Sequence, residues 1–324
     1  MRGVDQERTA RIERELGAVV PGIRSVAPMP EGHSGFSYRV SLERGEGVLR
    51  LPPPGVRVAG PTDVARQGRL MAALAAQGMP VPAVIAVSEE PVVDGRPFVL
   101  VEWVDGDRAE PAMARLGPSG VASAASAALH ELQRADVAAL PMAGDPPMSL
   151  ADEIARWTWL LERAAAPWTE GAERLAEALR ASMPGERPPV LVHADYHYAN
   201  LLFGGEGVAA VLDWEIAHVG QPLIDLACLA VAARPSGDGI FGFSPEGAGR
   251  LLEAVPDDEL ASIYGADVAE FRWYVALGFY EYCAILAYNL MLHLKGRRPD
   301  PIYVGREWMV GRLLEVGLER VGGL

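Results

Sequence analysis

The stretch from Val190 to Ala227, VLVHADYHYANLLFGGEGVAAVLDWEIAHVGQPLIDLA, decides the fold. It holds three of the six histidines, three aspartates and one asparagine among short apolar runs. The runs 190–192, 201–203 and 208–212 read as short buried strands. Polar residues stand at their ends: His193 and Asp195 after the first, Asn200 before the second, Asp213 after the third. This reading brings four polar groups to one end of one sheet, on loops held by a rigid scaffold, where chemistry is usually carried. The plainer alternative is a hairpin whose Asp and Asn residues only make turns. Four spaced polar groups converging at one end argue against it.

Outward from this stretch the chain changes character. Residues 4–17 carry a helical period that ends at Gly17, and 23–30 read as a strand. A turn with two glycines and two serines, Glu31 to Ser37, precedes the alternating strand 38–42 and a further strand at 48–51, so the chain opens with an antiparallel meander. Asp63 to Gln77 repeats apolar residues at helical spacing up to Gly78. Val81–Val87 and Phe98–Val104 are strands joined through Asp94-Gly95, a hairpin turn pair. After Val104 the pattern turns helical, at 118–135, 149–165 and 170–183, and again at 222–233, 246–254, 268–294 and 305–321. The boundary falls at Val104: a β-rich lobe with one main helix, 1–103, and a larger, mostly helical lobe, 104–324. The fold class is α+β.

Composition bounds the partners. Net charge is −14 and the one basic run is Lys295 to Arg298, so neither nucleic acid nor an anionic membrane is expected as a partner. Lys295 is the only lysine among 29 basic residues, so a cation needed anywhere upstream must be arginine. Cys228 and Cys283 lie in apolar runs and read as reduced core residues. The charged N-terminus lacks an apolar signal core, and a cytoplasmic location is expected. Trp273 to Leu294 is long enough to span a bilayer, but Glu281, Asn289 and His293 would each be costly in lipid, so it reads as a buried helix.

The residue types at the strand ends point to phosphoryl transfer. A carboxylate plus an amide oxygen, Asp213 with Asn200, is a hard-oxygen set suited to Mg²⁺, which completes its shell with water and phosphate oxygens. In such chemistry the protein mainly positions groups and neutralises charge. Asp195 remains available to accept a proton from an attacking hydroxyl.

His193-x-Asp195-x-x-x-x-Asn200, Leu212-Asp213-Trp214-Glu215 and Gly220-x-Pro222-x-x-Asp225-Leu226-Ala227 together resemble the aminoglycoside phosphotransferase and choline kinase superfamily, small-molecule kinases of the protein-kinase-like fold. Within it the chain is most similar to the kinase-like domains associated with acyl-CoA dehydrogenases. Gly32 to Tyr38, Val48-Leu49-Arg50 and Val101 to Gly106 add to the resemblance, which runs from about residue 25 to 295. It implies a bilobal architecture, with nucleotide bound by 1–103 and catalysis and substrate binding in 104–324. Asp195 is then the catalytic base or hydroxyl-orienting carboxylate, and Asn200 and Asp213 hold Mg²⁺ with the phosphates of ATP or GTP. His193 buttresses the catalytic loop and Asp225 hydrogen-bonds its backbone. Gly32, His33, Ser34 and Gly35 cover the phosphates with backbone N–H groups, and the backbone at Glu102 and Trp103 meets the base.

Two positions depart from the family pattern. Arg50 stands where a strand lysine is usual, and Gln67 where a helix glutamate pairs with it. Arginine can clasp phosphates bidentately, and Gln67 can accept a hydrogen bond from it without supplying counter-charge. Ala194 replaces a common glycine, a change the reading tolerates. The partners expected are a nucleoside triphosphate and a small hydroxylated acceptor, with the chain a monomer or homodimer. The aromatic residues Trp157, Trp159, Trp273, Tyr274, Tyr280 and Tyr288, with Asp152, Glu281 and His293, are candidate acceptor walls, which favours a partly apolar metabolite or antibiotic over a polycation. Two other readings stand beside this one: a weak or inactive nucleotide-binding pseudokinase, motivated by Gln67, and a metal-dependent hydrolase. The hydrolase would use His193, Asp195 and His197, which alternate and would share one face of an extended strand, with His218 and Asp213. It leaves Asn200 and the Gly-Ser turn without a role.

Overall fold

A computed structural model describes residues 2–29, 36–164, 171–232 and 255–323. The Gly32 to Gly35 turn and the helix expected at 246–254 lie outside these residues. The chain divides into two compact units: residues 1–106 with 135–144 and 208–217, and residues 107–134 with 145–207 and 218–324.

In chain order the elements are α1 (Arg2–Val19), β1 (Ile23–Pro28), β2 (Phe36–Leu42), β3 (Glu46–Leu51), α2 (Val64–Ala76), β4 (Val84–Val93), β5 (Arg96–Glu102), α3 (Ala109–Leu132), α4 (Leu150–Leu161), α5 (Ala172–Ala181), β6 (Val190–Val192), β7 (Leu201–Gly204), β8 (Gly207–Val211), β9 (His218–Gly220), α6 (Ile224–Ala232), α7 (Asp257–Tyr264), α8 (Val268–Leu294) and α9 (Trp308–Gly322). The first unit is built on an antiparallel sheet of order β1-β2-β3-β5-β4. Alternation assigns its faces: Tyr38, Val40, Leu49 and Leu51 point into a core completed by Ile12, Leu16 and Val20, four residues apart at the C-terminal end of α1. Ser37, Arg39 and Arg50 take the opposite face. β5 does not alternate because both of its faces are covered. Phe98 and Leu100 join the α1 core, while Val99 faces α2. Gly68 makes that approach possible, since a Cβ there would lie 2.8 Å from Val99 Cγ2. Asp63 caps α2 by accepting from Arg66 N at 2.9 Å.

The second unit is helical around α8, whose buried residues lie on all sides. Among the described residues α8 is the one helix long and apolar enough to cross a membrane, yet 72% of its most apolar window is buried inside the protein. α9 packs on α8 and α5. Its Gly317 sits so close to Leu175 that a Cβ would come within 2.6 Å, and the helix runs on past it to Gly322. α3 begins earlier than its sequence suggests. Gly117 (φ 71°) and Pro118 kink one helix instead of starting it, with proline at the head of the second segment. α7 escaped the sequence reading because only eight residues carry its period.

The three apolar runs of the opening stretch do not form one sheet. β6 pairs antiparallel with β9, Val192 opposite His218, through a partner strand that sequence analysis did not assign. β9 is only three residues long and carries too little pattern to be read as a strand.

One polar cluster ties α1 to the β4–β5 hairpin. Asp94 (φ 51°), at the turn, has a side chain only 5% exposed. It accepts from Arg8 at 2.7 Å, from Arg11, and from Arg96 at 2.5 Å, while its backbone N–H donates to Glu15 at 2.6 Å. Arg96 is itself buried, and desolvation holds its guanidinium down to about 10. Removing one partner of a buried pair leaves the other charge uncompensated. Asp94→Asn should therefore lower stability by about 3 kcal/mol in urea unfolding; a loss below about 1 kcal/mol would place this pair with ordinary surface ion pairs.

Candidate active site

The site residues expected from the sequence fall into two groups, one in each unit. In the second unit the candidate catalytic loop leaves β6 at His193. Its first two amides are held by one buried carboxylate: His193 N–H donates to Asp225 Oδ2 and Ala194 N–H to Asp225 Oδ1, each at 2.8 Å. Asp225 lies in the first turn of α6 and is 1% exposed. Burial pushes its carboxyl up, against the pull of the His193 side chain and of the two amides. Ala194 adopts φ 67°, the left-handed region, so the position does favour glycine and its methyl group is a source of strain. The loop then turns: His197 N–H donates to Asp195 O at 3.0 Å, and Asn200 N–H to His197 O at 2.9 Å.

Asp195 is gripped from both sides. Asn200 Nδ2 donates to its Oδ2 at 2.9 Å and to its backbone carbonyl at 3.0 Å. His197 Nε2 lies 3.2 Å from its Oδ1. Enclosure by protein pushes the carboxyl up, but the His197, His193 and Asn200 side chains outweigh this and hold it below the usual carboxylate value. Its side chain remains 33% exposed. Sequence analysis gave His197 a place only in the hydrolase alternative; its contact with Asp195 places it in the shell of that carboxylate. The signal was present in the two-residue spacing but could not be told from a loop histidine.

The first unit holds Asp213, just beyond β8. Asp213 is left-handed (φ 63°), and its Oδ1 takes a 2.9 Å ion pair from Arg50 Nη1 on β3. Gln67 does not join this pair. It is 1% exposed on α2 and donates through Nε2 to Pro61 O at 3.0 Å, and among the described residues its Oε1 has no hydrogen-bond partner. The hydrogen bond expected from Arg50 to Gln67 is absent because Asp213 supplies a full charge and Gln67 only a dipole. Glu102 and Trp103 are also constrained: their amides donate to Ala83 O and Glu46 O at 2.8 and 2.9 Å. Any contact of these two residues with a base therefore falls to their carbonyls or to the Trp103 ring, over which the Arg39 guanidinium sits 4.4 Å from the centroid.

The donor chemistry suits Mg²⁺ in each unit. Asn200 faces two acceptor oxygens with its nitrogen, which fixes the amide orientation and turns Oδ1, a hard donor, the other way. Asp213 offers a carboxylate. The transition-metal alternative finds no such support. Ala194's left-handed backbone and the turn after Asp195 break the alternation that would align His193, Asp195 and His197. His218 lies instead 2.6 Å from Glu153, and among the described residues no group of three or more His, Cys, Asp or Glu could hold a metal.

Several candidate wall residues are structural. Asp152 forms a capping box with Ser149 at the head of α4. Trp157, Trp273, Tyr274 and Tyr280 are core side chains, and His293 Nδ1 accepts from Asp300 N at 2.9 Å. Trp159 is 55% exposed. Beside the catalytic loop stand Cys228, whose Sγ is 4.0 Å from Ala194 O, and Tyr282, whose hydroxyl is 3.4 Å from that sulfur. Glu281, next along α8, is buried, and this burial together with the Glu153 charge pushes its carboxyl well up.

Comparison with known proteins identifies the family and the fold. Residues 25–265 match the phosphotransferase enzyme family, APH. The chain is 29% identical over 287 residues to acyl-CoA dehydrogenase family member 10 of Mus musculus, covering 84% of this chain and 27% of that protein. It is 26% identical over 261 residues to family member 11 of Homo sapiens, covering 74% and 32%. The chain thus spans about a third or less of the length of these curated relatives. Among solved structures, a Ralstonia eutropha protein assigned as an aminoglycoside phosphotransferase superposes with TM-score 0.75 at 22% identity, over 97% of this chain and 98% of that one. Aminoglycoside phosphotransferase APH(4)-Ia, in ternary complex with AMP-PNP and hygromycin B, gives 0.65 at 14%, over 97% and 99%. A choline/ethanolamine kinase family protein of Mesorhizobium loti gives 0.62 at 18%, over 98% of both chains. These likenesses establish the protein-kinase-like α+β fold, and because the family match takes in most of the chain, including both Asp195 and Asp213, the chain belongs to the phosphotransferase enzyme family.

Proposed function

We propose that the protein is a small-molecule kinase that transfers the γ-phosphate of ATP or GTP to a hydroxyl of a small, partly apolar metabolite or antibiotic. The observation that carries this reading is the state of Asp195: an accessible carboxylate held by Asn200 and His197 on a loop whose backbone is bound to Asp225. Such a group suits a hydroxyl acceptor. With its value held below the usual carboxylate range it is a weak base at neutral pH, so it orients the hydroxyl and receives the proton late, as the bond to phosphorus forms. His193 and Asp225 keep the loop in place. Asn200 and Asp213 each offer an oxygen suited to Mg²⁺, which would neutralise charge on the nucleotide phosphates. Arg50, an obligate cation, contributes a planar fork to the phosphate oxygens once it leaves Asp213. Gly32, His33, Ser34 and Gly35 would supply backbone N–H groups to the same phosphates.

The acceptor preference rests on the surroundings of Asp195 within its own unit. Cys228 and Tyr282 flank the loop, and the Glu281 carboxyl is pushed toward its neutral form. A polycationic acceptor needs several ionised carboxylates instead.

One observation favours a second reading, a weak or inactive nucleotide-binding protein. Arg50 is engaged by the same carboxylate that would hold the metal, and Gln67 offers no competing charge.

A nucleotide-consumption screen over hydroxylated metabolites and antibiotics tests the first reading. With an accepted substrate, Asp195→Ala should cut turnover about 10²–10⁴-fold while leaving nucleotide affinity unchanged. Equal consumption by wild type and variant removes Asp195 from the catalytic role, and nucleotide binding without turnover of any acceptor supports the second reading. Fluorescence titration with ATP and Mg²⁺ addresses the nucleotide side. Arg50→Ala should weaken binding by roughly 10-fold or more, the value of a charge-assisted contact; unaltered affinity would confine Arg50 to its pair with Asp213.

A further inference from the structure

Asp213 sits in a backbone conformation that costs a non-glycine residue free energy, and such conformations persist only where flanking structure imposes them. The flanks are anchored within the first unit. Before Asp213, Val211 N–H donates to Pro80 O at 2.8 Å, and the buried indole of Trp214 folds back to Val211 O at 3.0 Å. After it, the chain runs to Ala217, which is 2% exposed. There the carbonyl accepts from Arg66 Nη2 at 2.9 Å. Arg66 lies in the first turn of α2, 151 residues away in sequence, and its own amide is fixed by the Asp63 cap.

We propose that Arg66 is a positioning residue for phosphoryl transfer: by holding the Ala217 carbonyl it fixes the C-terminal flank of the Asp213 segment and so keeps that carboxylate aimed for metal binding. The geometry fits this task better than a packing role. The bond is charge-assisted and directed at a main-chain acceptor, so it constrains backbone, not side chain. Gln67, next along α2, turns its amide to Pro61 O instead. Arg50 holds the Asp213 side chain through Oδ1, where a metal would compete with it, whereas the Arg66 contact, four residues on, engages only the backbone. Arg66 therefore keeps the segment in register whichever cation Asp213 pairs with.

This inference rests on the phosphotransferase reading, and one set of measurements separates the two. ATP affinity is measured by fluorescence across a Mg²⁺ series for wild type, Arg66→Met and Arg66→Lys, and amide hydrogen exchange over residues 211–217 is followed in the metal-free proteins. Arg66→Met removes the donor and keeps the stem. It should raise the Mg²⁺ concentration for half-maximal enhancement of ATP binding roughly tenfold, the loss of one hydrogen bond from a charged donor. Metal-free ATP affinity should stay unchanged and exchange over 211–217 should quicken. Arg66→Lys, which can still donate to the carbonyl, should recover most of the metal response. Equal weakening with and without Mg²⁺, a drop in Tm with an unaltered Mg²⁺ response, or Arg66→Met behaving as wild type would each overturn the inference alone. No Mg²⁺-dependent ATP binding by the wild type would overturn the phosphotransferase reading and this inference with it.

Discussion

The loop from His193 to Asn200 depends on one buried carboxylate. Asp225 presents both oxygens to two consecutive amides, at His193 and Ala194, in a region closed to water. An isolated carboxylate there would be strongly disfavoured, and two unpaired amides would each lose their hydration without replacement. Together they satisfy one another. The two bonds bracket the entry to the left-handed turn at Ala194 and so hold the strain of that turn. Asp195 follows directly, and its position is inherited from this arrangement. The supporting carboxylate is carried by α6, which packs on α8, so the helical core reaches the loop through Asp225.

Arginine does the work of cations throughout the first unit, and its planar fork shapes how. Arg96, Arg8 and Arg11 converge on Asp94 and fasten α1 to a hairpin. Arg39 lies on the Trp103 ring while its fork pairs with Glu46. Arg50 and Arg66 meet the Asp213 segment at its side chain and at a carbonyl beyond it. A lysine could make one of these contacts at a time; a guanidinium makes several in fixed geometry and stays charged when half-buried. With Lys295 the single lysine in the whole chain, the basic residues of this unit are all arginines.

Much of the architecture was legible because its signals are local. The alternation of β2 and β3, the Asp94-Gly95 turn and the helical periods of α2, α4, α5 and α8 each lie within a few turns of chain. Elements that failed to show were short or depended on a distant partner: β9 has three residues, α7 eight, and the kink in α3 reads as a helix start until the preceding turn is seen to pack. Aromatic residues at helical spacing were ambiguous between wall and core, and Trp157, Trp273, Tyr274 and Tyr280 proved to be core because the helices carrying them are surrounded.

The sequence by itself determined the residue types and spacing from His193 to Asp225, and with them the resemblance to the family whose model the chain matches. Only the tertiary structure decided which partner each group takes. Arg50 goes to Asp213 and not to Gln67; Arg66, which carried no sequence signal, reaches Ala217; His197 turns onto Asp195. The physical reason is that pairing energies depend on distance and burial between residues far apart in the chain, and spacing along the sequence contains neither.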